Sequence, residues 1–259
     1  MSDPVQSKPS GNVTLRMENL TKNFRGFTAV KNLTLEVSRG TIHALIGPNG
    51  AGKTTVFNLA TKFLQPSGGR IFFNGQDITT TPPDAVARMG MVRSFQISAV
   101  FAQLTALENV RMALQRNRND NFFFWRSENA LRSMDARARE LLADVGLADF
   151  ADRKAIELSY GRRRVLEIAT TLALDPELLL LDEPMSGLGQ EDVGRIAELI
   201  RKVAASRTVL MVEHNLSVVA DLSHRITVLA RGEILADGSY AELVKNPAVI
   251  EAYLGSDHG

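Results

Sequence analysis

The chain has 259 residues, 44% of them hydrophobic and 23% charged, which is ordinary composition for one globular α/β domain or a domain with a smaller satellite. Thirty basic residues stand against twenty-nine acidic ones, and a formal charge of +1 excludes the basic excess of a dedicated nucleic-acid binder. There is no cysteine, so disulfide scaffolds, thiolate–zinc sites and cysteine nucleophiles are excluded as well.

The opening MSDPVQSKPSGN is polar, lacks the apolar core of a secretory signal and reads as a flexible tail over residues 1–12. No apolar run approaches the about eighteen residues of a membrane span, so a cytosolic protein is expected. VTLRMENL (Val13 to Leu20) and LTLEV (Leu33 to Val37) alternate as half-buried strands do. TIHALI (Thr41 to Ile46) is a buried strand, followed by a Gly-rich loop and then TTVFNLATKFL at helical spacing. PSGG (Pro66 to Gly69) reads as a turn, Asn74-Gly75 as a hairpin turn after IFF, and Pro82-Pro83 as the start of a short helix capped by the preceding Thr.

After Gln96 the pattern turns helical. Thr105-Ala-Leu-Glu108 is a capping box, and Ser127–Val145 and Arg162–Leu174 are further helical stretches. Strands return at Glu177–Asp182, Arg207–His214 and Arg225–Ala230, with a helix from about Glu191 to Ala205 between the first two. Continuous apolar strands alternating with helices imply a parallel sheet covered on both faces. The expected fold is therefore an α/β core over 13–96 and 176–238, a helical subdomain over 97–175, and a helical C-terminal extension over 239–259.

GPNGAGKT, Gly47 to Thr54, fits G-x-x-x-x-G-K-[ST] and lies between a strand and a helix, the setting of a phosphate-binding loop. Its glycines let backbone N–H groups turn toward phosphate oxygens, and the helix N-terminus adds partial positive charge. Lys53 would neutralise the β- and γ-phosphates, and the Thr54 hydroxyl would ligate Mg²⁺. LLLLDEP, Leu178 to Pro184, ends a buried strand with two carboxylates. Asp182 is placed to hold Mg²⁺, and Glu183 projects beyond it toward an attacking water.

With these two motifs and a third, LSYGR (Leu158 to Arg162), the sequence resembles the ATPase subunits of ABC transporters, a P-loop NTPase core with an inserted helical subdomain. LSYGR is similar to the family signature L-S-G-G-Q, with Tyr160 for the second glycine and Arg162 for the glutamine. Gln96 in RSFQ resembles the Q-loop glutamine that contacts nucleotide and metal, and His214 the switch histidine. Phe24 matches the aromatic that stacks on adenine, with Phe27 a close competitor.

The resemblance implies ATP and Mg²⁺ as cofactors, held by Gly47, Pro48, Asn49, Gly50, Ala51, Gly52, Lys53, Thr54, Thr55 and Asp182. Lys53, Glu183 and His214 would be the catalytic set, and Thr54, Gln96 and Asp182 the metal set. Ser159, Tyr160 and Gly161 at a helix N-terminus form a second anion site, which in the family closes on the γ-phosphate bound by another subunit. A head-to-tail homodimer or heterodimer is implied, docked on integral-membrane permeases at the cytoplasmic face of the membrane and served by a solute-binding protein. Arg162 adds a cation at the signature, and Gly189 in SGLGQED stands where the family usually has Asp or Asn.

Within the family, GPNGAGKTTVFN, ARMGMVRSFQ, LSYG and NPAVIEAYLG look most like subunits for branched-chain amino-acid uptake, with importers of urea or short amides as relatives. A soluble ABC ATPase uncoupled from transport, or a nucleotide-binding regulatory module, are the competing classes. NFFFW (Asn121 to Trp125) reads either as a docking surface or as a small satellite core, the second being the more ordinary arrangement.

Overall fold

A computed structural model describes residues 12–94, 100–116 and 128–254; Gln96 and the NFFFW segment lie outside the described residues. In chain order the elements are β1 (Val13–Phe24), β2 (Phe27–Ser38), β3 (Ile42–Ile46), α1 (Lys53–Ala60), β4 (Gly68–Phe73), β5 (Gln76–Asp77), α2 (Pro83–Arg88) and β6 (Met91–Ser94). The helical stretch contributes α3 (Ala106–Arg116), α4 (Glu128–Asp144) and α5 (Tyr160–Leu172). Then follow β7 (Leu178–Asp182), α6 (Gln190–Ala204), β8 (Thr208–Val212), α7 (Leu216–Leu222), β9 (Arg225–Ala230), β10 (Glu233–Gly238), α8 (Tyr240–Leu243) and α9 (Pro247–Leu254).

The strands divide into two sheets. One has the order β2-β1-β4-β5 and is antiparallel throughout, with Asn74 and Gly75 at positive φ forming the expected hairpin turn. The other has the order β10-β9-β3-β8-β7-β6, parallel except for the β10 edge. Alternation along the parallel strands sorts side chains to two cores. Leu178, Leu180, Leu210 and Val212 meet α1 and the antiparallel sheet, whereas Leu179, Leu181, Val209 and Met211 meet the helices α3 to α6. The helix α1 is thus clamped between the sheets through Val56, Phe57 and Leu59, all fully buried.

Local signals account for most boundaries. Thr105 and Glu108 form a reciprocal capping box at α3, the Thr hydroxyl accepting from Glu108 N–H at 3.1 Å and the Glu carboxylate from Thr105 N–H at 2.8 Å. Several boundaries differ from expectation: β1 runs on to Phe24, β2 begins at Phe27, and α1 ends at Ala60 rather than continuing to Leu64. The cap of α2 is Pro82 in extended backbone without any side-chain bond, so Thr81 lies one residue outside the helix. PSGG is a shorter turn than expected, because β4 already begins at Gly68, which pairs with Thr21 of β1, and Gly69 lies at an irregularity in that ladder. The strand β10 carries no clean alternation, being fixed by its register with β9 rather than by its own pattern.

Candidate functional site

The chemistry-bearing residues collect at the C-terminal ends of the parallel strands, where open α/β sheets place their ligands. Gly47 follows β3, Glu183 follows β7, and His214 stands two residues beyond β8. Neighbouring registers β3–β8 and β7–β8 bring those three strand ends side by side.

The loop from Gly47 to Gly52 is shaped by its crowding. Gly47 has φ 150°, and a Cβ there would lie 2.2 Å from the Leu229 carbonyl oxygen. Gly52, the cap of α1, has φ 104°, and a Cβ would stand 2.7 Å from the Ala29 carbonyl oxygen. Both positions therefore require glycine for reasons of backbone and space together. Lys53 opens α1 with its side chain folded back, Nζ donating to the carbonyl oxygens of Gly47 at 2.6 Å and Pro48 at 3.0 Å. Burial draws its ammonium below the ordinary lysine range, opposed by the negative charges of Glu183 and Asp182. The amine is held inside the loop's curve, with Thr54 exposed and Thr55 half-buried on the following turn.

Asp182 ends β7 with its side chain only 2% exposed and is ion-paired with Arg93 of β6. Glu183 turns out of the strand at φ 47°, a left-handed conformation that costs a non-glycine residue about 1–3 kcal/mol. The turn points its carboxylate at His214, whose Nε2 is 2.6 Å from Glu183 Oε1. An ionised carboxylate only accepts, so Nε2 carries the hydrogen in this pair. The neighbouring Glu213 is buried and accepts from the backbone N–H groups of Met185 at 2.8 Å, His214 at 3.0 Å and Asn215 at 3.3 Å. It thereby fastens the turn after β7 to the turn after β8.

The signature segment sits at the head of α5. Ser159 caps the helix, its hydroxyl accepting from Arg162 N–H at 3.4 Å. The Tyr160 hydroxyl donates to the Ser186 carbonyl oxygen at 3.4 Å, and its ring lies against Gly187. Gly161 is covered by the Asp192 carboxylate, which a Cβ would meet at 2.2 Å. Tyr160 and Gly161 thus meet the loop after β7 and the start of α6. Arg162, expected to add a cation at the anion site, stacks its guanidinium on Phe150 at 4.1 Å from the ring centroid. Gly189 is the cap of α6, with nothing within 4 Å of where a Cβ would point.

Phe24 and Phe27 close the β1–β2 hairpin, 44% and 63% exposed, with Lys22 Nζ 5.2 Å from the Phe24 ring centroid. Both rings are open to a flat ligand, so the geometry leaves the two competitors level. Among the described residues there is no cluster of three or more His, Cys, Asp or Glu able to hold a metal. One buried carboxylate and one hydroxyl fit Mg²⁺ that arrives with phosphate oxygens and keeps part of its water.

Sequence reasoning missed Arg93, Arg164 and Glu213. Arg164, on α5 and 8% exposed, donates to the carbonyl oxygens of Asp182 at 2.8 Å and Glu183 at 3.2 Å and pairs with Glu167 at 2.7 Å. The i,i+3 spacing of Arg164 and Glu167 on α5 was the available signal for Arg164, and an acid next to the switch-type histidine for Glu213.

Known proteins resemble this chain over most of its length. The family model described as "ABC transporter" matches residues 30–186, and "Branched-chain amino acid ATP-binding cassette transporter" matches residues 233–259. The high-affinity branched-chain amino acid transport ATP-binding protein BraF of Pseudomonas aeruginosa is 41% identical, over 93% of this chain and 97% of the relative. LivG of Escherichia coli, a protein of the same description, is 39% identical with the same coverage. A nucleotide-free ATP-binding cassette from an ABC transporter superposes with a TM-score of 0.82 at 30% identity, covering 93% of this chain and 98% of that one. An ATP-binding cassette in its ADP conformation gives 0.81 at 30% identity, covering 94% and 99%. A nucleotide-binding P-loop core, an inserted helical segment and a branched-chain-type C-terminus thus meet in one polypeptide, and the chain belongs to the ATP-binding cassette family of ABC transporters.

Proposed function

We propose that this protein is the ATP-hydrolysing subunit of an importer for branched-chain amino acids, acting as one half of an ATP-closed dimer beneath membrane permeases. The observation that carries the chemistry is the convergence of Lys53, Asp182 and the Glu183–His214 pair at the ends of adjacent parallel strands. The solute class rests on the C-terminal match over 233–259 and on the names of the relatives.

In this reading the backbone N–H groups of Gly47, Pro48, Asn49, Gly50, Ala51 and Gly52 cradle phosphate, and Phe24 or Phe27 stacks on the base. Lys53 leaves the carbonyls of Gly47 and Pro48 for the β- and γ-phosphates. Thr54, Asp182 and Gln96 supply oxygens to Mg²⁺, which when bound neutralises charge developing on the phosphates. Glu183 accepts the proton of the attacking water as oxygen bonds to the γ-phosphorus and the bond to ADP breaks. His214 holds the Glu183 carboxylate in place through its Nε2–H. Ser159 and Gly161 of a second subunit complete the site, carried there by the helical segment 97–175.

Among the described residues no helix is long and apolar enough to cross a membrane, so attachment at the cytoplasmic face would come through permease subunits. The decisive experiment is co-expression with the permeases from the same locus and reconstitution into vesicles with the cognate binding protein. ATP-dependent uptake of labelled leucine, but not urea, is expected. Uptake of urea or a short amide alone would reassign the solute, and failure to associate with any permease would favour an ATPase uncoupled from transport.

A further inference from the structure

Asp182 presents a problem of electrostatics before any nucleotide arrives. Its carboxylate is 2% exposed, and a buried carboxylate left alone costs several kcal/mol. Lys53 is near enough to feel its charge, but the Lys53 ammonium is committed to the Gly47 and Pro48 carbonyls. The cation paired with Asp182 is Arg93 of β6, itself only 10% exposed. β6 and β7 run in parallel register, Ser94 opposite Leu181, so the Arg93 side chain reaches along the sheet to the strand end. Its second nitrogen donates to Asn58 Oδ1 of α1 at 2.6 Å, and the guanidinium lies 5.7 Å from the Phe57 ring centroid. The guanidinium therefore has two anchors, one on the Asp182 carboxylate and one on the helix that carries Lys53 and Thr54.

We propose that Arg93 is the resident counter-cation of Asp182, competing with Mg²⁺ for that carboxylate and releasing it toward Asn58 when Mg²⁺ and nucleotide bind. The proposal rests on the assignment of Asp182 to Mg²⁺ made above. Its physical basis is simple. A guanidinium and a divalent cation within one low-dielectric site repel each other, so each weakens the hold of the other on the shared carboxylate. Arg93 thus sets how much Mg²⁺ the cassette needs, while keeping the buried acid neutralised between cycles. Asn58, already bonded to the other guanidinium nitrogen at 2.6 Å, keeps hold of the arginine once it leaves the carboxylate.

The test is a Mg²⁺ titration of binding of a fluorescent ribose-labelled ADP, with thermal unfolding measured in EDTA and in Mg²⁺ plus ADP. In Arg93→Met, which keeps length but removes charge, half-saturating Mg²⁺ should fall at least about tenfold. The melting temperature should fall in EDTA and recover in Mg²⁺ plus ADP. Arg93→Lys should keep a near wild-type Mg²⁺ midpoint, since the charge remains. A Mg²⁺ midpoint unmoved in Arg93→Met, with the same loss of melting temperature in both conditions, would show that Arg93 is only structural. If Arg93→Met does not fold, Asn58→Leu decides: with its other acceptor gone, Arg93 is held by Asp182 more firmly, so the Mg²⁺ midpoint should rise severalfold, and an unchanged midpoint overturns the proposal. Wild-type protein that binds labelled ADP equally well with and without Mg²⁺ would overturn the Mg²⁺ assignment of Asp182 itself, a result separable from the other two.

Discussion

The Arg164 guanidinium donates to the Asp182 carbonyl oxygen at 2.8 Å, joining the helix that opens with the signature segment to the strand end that carries both carboxylates. The same side chain reaches Glu183 O at 3.2 Å and Pro184 O at 3.4 Å, so it grips three successive carbonyls around a residue held at φ 47°. Glu183 keeps its unfavourable backbone because Arg164 and the Glu213 carboxylate over-determine the turn. A positioning role follows. Arg164→Lys keeps a charge beside Glu167 but loses the planar fork that spans the carbonyls. We expect kcat for ATP hydrolysis to fall about tenfold or more with KM changed less than about twofold, since nucleotide contacts are untouched. A loss of melting temperature with unchanged kcat would leave Arg164 a purely structural residue.

Lys53→Ala removes the ammonium that the phosphate loop holds between the Gly47 and Pro48 carbonyls. Charge-assisted hydrogen bonds are worth about 1.5–3 kcal/mol, so nucleotide affinity should weaken by roughly 10- to 100-fold. Isothermal titration with ADP, alongside circular dichroism to verify folding, checks this. Wild-type affinity in a folded variant would overturn the phosphate-loop assignment.

The parallel core and its phosphate loop were legible because they depend on local rules. Leu178–Leu181 are continuously apolar and buried on both sides, and Gly47 and Gly52 are fixed by crowding against Leu229 and Ala29. The capping box at Thr105 and the hairpin at Asn74-Gly75 are likewise short-range chemistry. The antiparallel character of the first sheet and the edge strand β10 were not, since both depend on pairing with distant strands. The same limit hid Arg93 and Arg164. Their meaning lies in contacts with Asp182 across 89 and 18 positions of sequence, and no spacing rule encodes those. Nor does the motif show that the Arg162 guanidinium rests on Phe150, a contact 12 positions back in the chain.

Gly189 caps α6 without a side-chain bond, and open space surrounds its Cα. Gly189→Asp should therefore cap the helix and raise stability by a few tenths of a kcal/mol, a shift of about 1 °C in melting temperature. The hydrolysis rate of the isolated protein should change little if communication between sites depends on the partner chain. A large rate increase would show instead that this chain lacks a needed group.

His43 provides a pH dependence independent of the site. It is fully buried on β3, and Nε2 is 2.8 Å from the Thr227 hydroxyl, which donates onward to Asp237 at 3.2 Å. That chain assigns the hydrogen to Nε2 and leaves a neutral ring. Burial lowers its pKa to about 4, with Asp237 opposing and Arg225 reinforcing the shift. Between about 6.5 and 4 the unfolded chain binds a proton that the native state refuses, so this contribution is present above 6.5 and is lost as pH falls. One such group contributes a slope of up to about 1.4 kcal/mol per pH unit. Urea unfolding at several pH values should show that slope in the wild type and a flatter one in His43→Gln. Equal slopes would mean that His43 is protonated in the native state.

The pairing of Glu183 with His214 leads to the last prediction. Glu183→Gln keeps an oxygen that can accept from His214 Nε2 but removes the carboxylate that would take a proton from water. Hydrolysis should fall by roughly 10²- to 10⁴-fold. Nucleotide binding should persist, because Lys53, Thr54 and Asp182 are intact. If the signature segment of a second subunit closes on the γ-phosphate, unhydrolysed ATP should hold two chains together, and the loss of one negative charge at each site favours that closure further. Light scattering of the variant should then move from monomer to dimer on adding MgATP but not MgADP. Placing Glu at Ser159, the cap of α5, sets a like charge against the γ-phosphate and should return the variant to monomer without weakening ATP binding. Wild-type turnover in Glu183→Gln would remove Glu183 from the general-base role. Slow turnover with a persistent monomer would mean that closure requires the permeases or a different cassette, and the same scattering experiment repeated with the co-expressed complex separates those two.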